Sequence, residues 1–169
     1  MDIKVLITEE EITARTRELA EQIQQDYNGE EIVIICILKG AAFFATELAK
    51  RINSDTIIDF MKVSSYEGTE STGKIDFTLD ISEDITGKNV LIVEDIVDTG
   101  RTLAYVKKYL ESKNPKSVKI CTMLNKKERR VVELNPEYVC FDIPDKFVIG
   151  YGLDYDEKYR NLPYIGYLE

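Results

Sequence analysis

The residues most capable of chemistry lie together in the stretch VLIVEDIVDTGRTL, positions 90–103. It opens as the apolar run of a buried strand, yet Glu94 and Asp95 stand side by side in it and Asp98 follows. Carboxylates are costly at the end of such a run unless something binds them. Two adjacent acids at a strand's carboxyl end can accept hydrogen bonds from a diol or hold a hydrated Mg²⁺. The next residues, Thr99, Gly100, Arg101 and Thr102, lead into a helical pattern. Gly100 permits a tight turn, and successive backbone N–H groups with two threonine hydroxyls can wrap a phosphate at the helix N-terminus. A diol site beside a monophosphate cradle describes a ribose 5-phosphate. Each piece also has a plainer use: Asp98 or Thr99 as a helix N-cap, Glu94 and Asp95 as a solvated strand end. The conjunction of strand, paired acids, Asp and Thr-Gly-x-Thr is what favours the chemical reading.

Composition narrows that chemistry. The chain has 169 residues and no histidine. Ser-His-Asp triads, Cys-His dyads and His-ligated zinc are therefore excluded. Acid–base work falls to Asp, Glu, Lys, Tyr or water, and any metal would be held through oxygen, which suits Mg²⁺. The net charge of −9 repels nucleic acid and anionic lipid. Neither a nucleic-acid nor a membrane partner is expected. Cys36, Cys121 and Cys140 show no CxxC spacing, the start MDIKVLITEEE lacks a signal-peptide pattern, and no apolar run approaches a membrane span. These features point to reduced thiols and a cytoplasmic location.

The elements that would position the acids follow from periodicity. Thr8 with Glu11 forms a capping-box pattern that opens a helix to about Tyr27. EIVIICIL (31–38) is near-continuously apolar, as in a strand covered on both faces, and a helix starts at about Gly40. TIIDFMKV (56–63) and KIDFTLD (74–80) read as strands, with a polar, glycine-bearing and mobile loop between them at about 64–75. A buried strand is expected to end at Glu94 and Asp95, followed by the amphipathic helix RTLAYVKKYLES and the buried strand SVKICTMLN. Short strand-like pieces, YVCFDI and KFVIGYGL, come after Pro136. Strands alternating with helices imply an α/β fold with a central, mostly parallel sheet flanked by helices. Ligands bind beyond the carboxyl ends of such strands. That rule selects Lys39 and Gly40, Glu94 and Asp95, and Asn125 to Lys127.

Residues 90–103 resemble the phosphoribosyl-pyrophosphate signature of the type I phosphoribosyltransferases. LKG (38–40), SSY (64–66) and IPDKFVIGYGLDYDEKYRNLPYIG (143–166) are similar, more narrowly, to the hypoxanthine-guanine branch of that family. The match runs in order along nearly the whole chain. It implies one domain over 1–169, with a small hood contributed by about 136–169 and the N-terminal segment. It implies transfer of a phosphoribosyl group from phosphoribosyl pyrophosphate to hypoxanthine or guanine, giving IMP or GMP and pyrophosphate. It also implies a homodimer or homotetramer.

The resemblance assigns roles by position. Glu94 and Asp95 would hold the ribose hydroxyls and their Mg²⁺, and Asp98 would take the purine N7 proton. Thr99, Gly100, Arg101 and Thr102 would bind the 5-phosphate, with Arg101 the least secure of them. Lys39 and Gly40 would hold pyrophosphate next to a non-proline cis peptide at Leu38-Lys39. Ser65 and Tyr66 would lie on a loop that closes over the reacting centre. Lys126 would donate to the purine 6-oxo group, Phe147 would stack on the base, and Val148 would act through its backbone. Asp154 would bind a second Mg²⁺ with pyrophosphate, and Arg160 would pair with that pyrophosphate. Outside the resemblance, Lys126 reads as a surface lysine, Phe147 as a core aromatic, and Asp154 and Arg160 as exposed charges.

Two other signals in the sequence point elsewhere. GTESTGKI (68–75) nearly spells a nucleotide-binding P-loop, but Ile75 stands where a hydroxyl is needed and a strand follows in place of a helix. A non-catalytic RNA-binding relative would need a basic face, and NKKERR (125–130) is the only basic cluster in a strongly acidic chain. A transferase for xanthine, adenine or uracil is the remaining rival. Lys126 and the 143–155 stretch argue against adenine and uracil but leave xanthine open.

Overall fold

The computed structural model describes residues 2–65 and 75–169. Its centre is a six-stranded sheet built from β2 (Ile32–Ile37), β3 (Thr56–Ser65), β4 (Ile75–Leu79), β5 (Asn89–Val97), β6 (Ser117–Asn125) and β7 (Tyr138–Asp142). The strand order is β4-β3-β2-β5-β6-β7. Every pairing is parallel except that of β3 with β4. A second, three-stranded antiparallel sheet joins β1 (Ile3–Ile7), β9 (Ile165–Leu168) and β8 (Val148–Ile149).

Side-chain alternation along the central strands divides the core in two. Ile32, Ile34 and Cys36 of β2 and Leu91 and Val93 of β5 face one side, where helices α1 (Glu9–Tyr27) and α2 (Ala42–Lys50) cover them. Val33, Ile35, Ile37, Val90 and Ile92 face the other side, covered by Leu103, Val106 and Leu110 of α3 (Arg101–Glu111). All six residues of β2 are buried, as a parallel strand between two helical layers requires. α1 starts where the Thr8 hydroxyl accepts the Glu11 N–H at 3.1 Å. It stops at Asn28, whose left-handed backbone (φ 49°) directs its N–H to Gln24 O.

The structure corrects the sequence reading at three boundaries. β5 does not end at the paired acids but runs on to Val97, because β6 extends equally far and supplies backbone partners (Glu94 with Thr122, Ile96 with Leu124, Val97 with Asn125). Ser64 and Ser65 belong to β3 rather than to the loop, since they pair with Asp76 and Ile75 of β4. Of KFVIGYGL only Val148 and Ile149 form a strand, because Gly150 and Gly152 turn the chain with positive φ. Ile75 of the expected 64–75 loop opens β4, and residues 66–74, which include Tyr66, lie outside the described residues. Among the described residues, no helix is long and apolar enough to cross a membrane.

Candidate active site

The second half of strand β5 carries two carboxylates, Glu94 and Asp95, in half-buried positions. Burial pushes the Glu94 carboxyl well above the usual carboxylate range, and the neighbouring Asp95 charge adds to it. Burial also raises Asp95, although the Ile96 N–H, donating at 2.6 Å, and the charge of Arg160 oppose that rise. Two acids held so close, in so little water, favour a cation between them. Among the described residues no three acidic or thiol groups converge as a closed metal cage. A cation at this place would therefore complete its shell from substrate and water, as hard divalent ions commonly do.

After β5 the chain turns through residues 98–100 into α3. The helix begins at Gly100, whose φ of 86° is a left-handed conformation, and no side chain caps it. Its first amides are thus left for a ligand; among the described residues only the Arg101 N–H has a neighbour, Thr99 Oγ1 at 3.4 Å. Neither Asp98 nor Thr99 is the N-cap residue. Glu94, Val97, Asp98, Thr99, Gly100 and Thr102 line a cavity of about 210 Å³, together with Ile96 and Leu103. Arg101 is exposed and its side chain is not in that lining. An uncapped helix start, two hydroxyls and a small cavity suit a monophosphate.

On one side of this loop stands Lys126, immediately after β6. Its N–H donates to Val97 O at 3.0 Å. Its side chain is only 9% exposed, so it is not a surface lysine. The ammonium lies 3.8 Å from Asp98 Oδ1 and 3.6 Å from Asp145 Oδ1, and Arg129 meets the other Asp145 oxygen at 3.6 Å. Asp98 Oδ1 is buried and has no hydrogen-bond partner among the described residues. Phe147 is 57% exposed, held edge-on against Tyr155 with centroids 5.8 Å apart. It is not a core aromatic; its ring is free to receive a planar ligand. Val148 is buried in β8.

On the other side, the segment after β2 and the chain's last third meet over Asp95. The Leu38-Lys39 peptide is cis. A Cβ on Gly40 would lie 1.8 Å from Asp95 Oδ2, and one on Gly152 would lie 2.1 Å from Gly40 O, so only glycines allow these three segments to close up. Lys39 Nζ and Arg160 Nη2 each lie 3.2 Å from Glu157 Oε2. Arg160 also sits 3.6 Å from Asp154 and donates to Gly152 O at 2.7 Å. The two cations hold the Glu157 carboxyl below the usual range. Ser65 ends β3.

The structure thus brings together Lys39, Gly40, Asp95, Asp154 and Arg160 in one group. Glu94, Asp98, Thr99, Gly100, Thr102 and Lys126 form a second. Sequence reasoning missed Asp145, Glu157 and Arg130. Asp145 sits inside the quoted IPDKF motif and Glu157 inside DYDEKYR, so both were visible as charges near motif residues. Arg130 was visible only as part of a basic cluster.

A β5 acid pair, an uncapped helix start and a buried lysine loosely held by two carboxylates lie together at the carboxyl end of a parallel sheet, an arrangement that can receive a phosphorylated sugar and a planar base. A family model described as the phosphoribosyl transferase domain matches residues 6–156. The chain belongs to this family. A relative from Streptococcus thermophilus named hypoxanthine-guanine phosphoribosyltransferase is 47% identical over 98% of this chain and 93% of its own. A crystal structure of a hypoxanthine-guanine phosphoribosyltransferase from Bacillus anthracis, with HEPES in its active site, superposes with a TM-score of 0.96 at 50% identity. It covers 99% of this chain and all of that one. A hypoxanthine phosphoribosyltransferase from Staphylococcus aureus gives a TM-score of 0.95 at 49% identity, covering 98% and 91%.

Proposed function

We propose that this protein is a purine salvage enzyme. It transfers the 5-phosphoribosyl group from phosphoribosyl pyrophosphate to N9 of hypoxanthine or guanine. The products are IMP or GMP and pyrophosphate. The observation that carries this reading is the buried Lys126 ammonium facing Asp98 beside the 210 Å³ cavity. A lysine only donates. It satisfies a purine's 6-oxo oxygen and leaves the 6-amino group of adenine facing another donor, which is strongly disfavoured in a desolvated site.

The 5-phosphate sits in the loop of Thr99, Gly100, Arg101 and Thr102, with Arg101 acting through its amide. Glu94 and Asp95 accept from the ribose hydroxyls. Phe147 stacks on the base and the Val148 backbone orients it. Lys39, Gly40 and Arg160 hold the pyrophosphate, and Ser65 and Tyr66 belong to the segment that covers the centre. Glu94, Asp95 and Asp154 would hold Mg²⁺, which neutralises charge on the pyrophosphate when bound. The N9 lone pair forms the bond to the sugar C1 while the bond from C1 to pyrophosphate oxygen breaks, and its electrons leave with pyrophosphate. The N7 proton passes to the Asp98 carboxylate. Aligning the reactants and excluding water supply most of the acceleration. The enzyme works in the cytoplasm as a homodimer or homotetramer.

The test is an ultraviolet assay with phosphoribosyl pyrophosphate and Mg²⁺, offering hypoxanthine, guanine, xanthine and adenine separately. Hypoxanthine and guanine should give nucleotide, adenine none, and EDTA should stop the reaction. No turnover with any base by folded protein would overturn the reading.

A further inference from the structure

The Asp98 carboxylate poses a positioning problem. Its Oδ1 has no hydrogen bond of its own among the described residues, and the nearest cation stands at 3.8 Å, beyond hydrogen-bond range. Its place must come from the backbone. Three successive carbonyls there are gripped by one facing segment. Val97 O accepts from the Lys126 N–H at 3.0 Å, and Thr99 O from the Val131 N–H at 3.0 Å. The middle one, Asp98 O, accepts from a side chain: Arg130 Nε at 3.2 Å.

Arg130 ties that carbonyl to two further points. Nη1 donates to Leu134 O at 2.8 Å, and Nη2 donates to Asn125 Oδ1. Asn125 is 3% exposed and donates in turn to Asp142 Oδ1 at 3.0 Å, at the end of β7. The stem of Arg130 also backs the turn: a Cβ on Gly100 would meet its Cδ at 2.9 Å. No carboxylate pairs with Arg130 among the described residues. A half-buried guanidinium is here committed wholly to neutral oxygens, a geometry that a lysine cannot reproduce.

We propose that Arg130 is a positioning residue for the transfer reaction: it sets the Asp98 carboxylate against the bound base by holding the Asp98 carbonyl and the back of the Gly100 turn. This rests on Asp98 being the group that takes the purine proton. A displacement of about 1 Å at such a group can cost about 10²-fold in rate.

The test compares Arg130→Lys and Arg130→Gln with Arg15→Lys. Arg15 is also half-buried and also donates to backbone carbonyls, Cys140 O at 3.0 Å and Val139 O at 2.8 Å, but it touches none of the residues placed in the site. Each is assayed well below its own Tm. Arg130→Lys should lower kcat by about 10²-fold while KM for hypoxanthine and for phosphoribosyl pyrophosphate changes no more than about threefold. Arg130→Gln, which loses the charge and two of the three donor nitrogens, should lose at least as much kcat. Arg15→Lys should lose Tm and keep kcat. Adding Arg130→Lys to Asp98→Asn should cost little more, since both act on one group. Wild-type kcat in both Arg130 variants overturns the proposal. So does an equal kcat loss in Arg15→Lys, or full additivity with Asp98→Asn. Wild-type turnover in Asp98→Asn alone refutes the underlying base assignment; a kcat loss in Arg130→Lys beside it would then show Arg130 acting by another route.

Discussion

The two ends of the cleft use charge in opposite ways. At the base end, Lys126 is 9% exposed and stands 3.6 and 3.8 Å from its two carboxylates, too far for tight pairing. At the pyrophosphate end, Lys39 is 50% exposed and Glu157 is 63% exposed, and they meet at 3.2 Å. A buried donor with loosely held partners is poised to take a ligand acceptor, and leaving it unsatisfied is expensive. Exposed ion pairs contribute little to stability and exchange readily. In the proposed reaction the base end would select, and the pyrophosphate end would hand charge over: a departing anion and Glu157 can alternate on the same two cations.

The largest blow to this division is at the base end. Asp98→Asn should keep substrate binding and lower kcat by about 10²- to 10⁴-fold, the range of general acid–base contributions; steady-state kinetics with both substrates checks it. At the other end the effect should fall on binding. Arg160→Gln removes a partly buried charged donor, and loss of such a bond costs about 1.5–3 kcal/mol, so KM for phosphoribosyl pyrophosphate should rise at least about tenfold with KM for hypoxanthine unchanged.

Glu157→Gln should act in the reverse direction and more weakly, lowering KM for phosphoribosyl pyrophosphate a few-fold by removing the competing carboxylate. The sign of its pH dependence is set. Lys39 and Arg160 hold the Glu157 carboxyl below its ordinary value, so it stays ionised throughout the neutral range, and the effect should be the same at about pH 6 and pH 8. A difference that vanishes at the lower pH would contradict this pairing. Smallest of all should be any effect of thiol reagents. Cys36 and Cys140 are buried and their thiols are pushed up to about 12, and Cys121 is raised as well. Thiolates are the reactive form. Native protein should therefore keep full activity in iodoacetamide near pH 8 and be alkylated only when unfolded, which mass spectrometry reports.

What was legible in the sequence follows the same physics. The central strands announced themselves because a parallel strand between two helical layers must be apolar throughout, as β2 is. The acid pair, the Gly100 turn and the helix start were legible because they are contiguous, so spacing alone carried their geometry. The end of β5 is not legible because charge in the sequence reads as a stop, whereas pairing with β6 holds the acids in the ladder through Val97. The pairing of β1 with β9 joins Ile3 to Leu168, and no local pattern reports a contact of that span. Arg130 escaped for a related reason. Its partners Asp98 O and Leu134 O are backbone atoms, which leave no trace in residue identity. Glu157 looked like one more exposed acid in an acidic chain until the fold placed Lys39 beside it.

If a desolvated donor at Lys126 selects the base, the ratio of kcat/KM for hypoxanthine to that for adenine should differ sharply between the wild type and Lys126→Gln. Glutamine can turn either an oxygen or an N–H₂ toward the base. The variant should lose about 10²-fold or more with hypoxanthine, and the ratio should collapse. A variant that keeps the wild-type ratio would contradict it and move base selection elsewhere in the cleft.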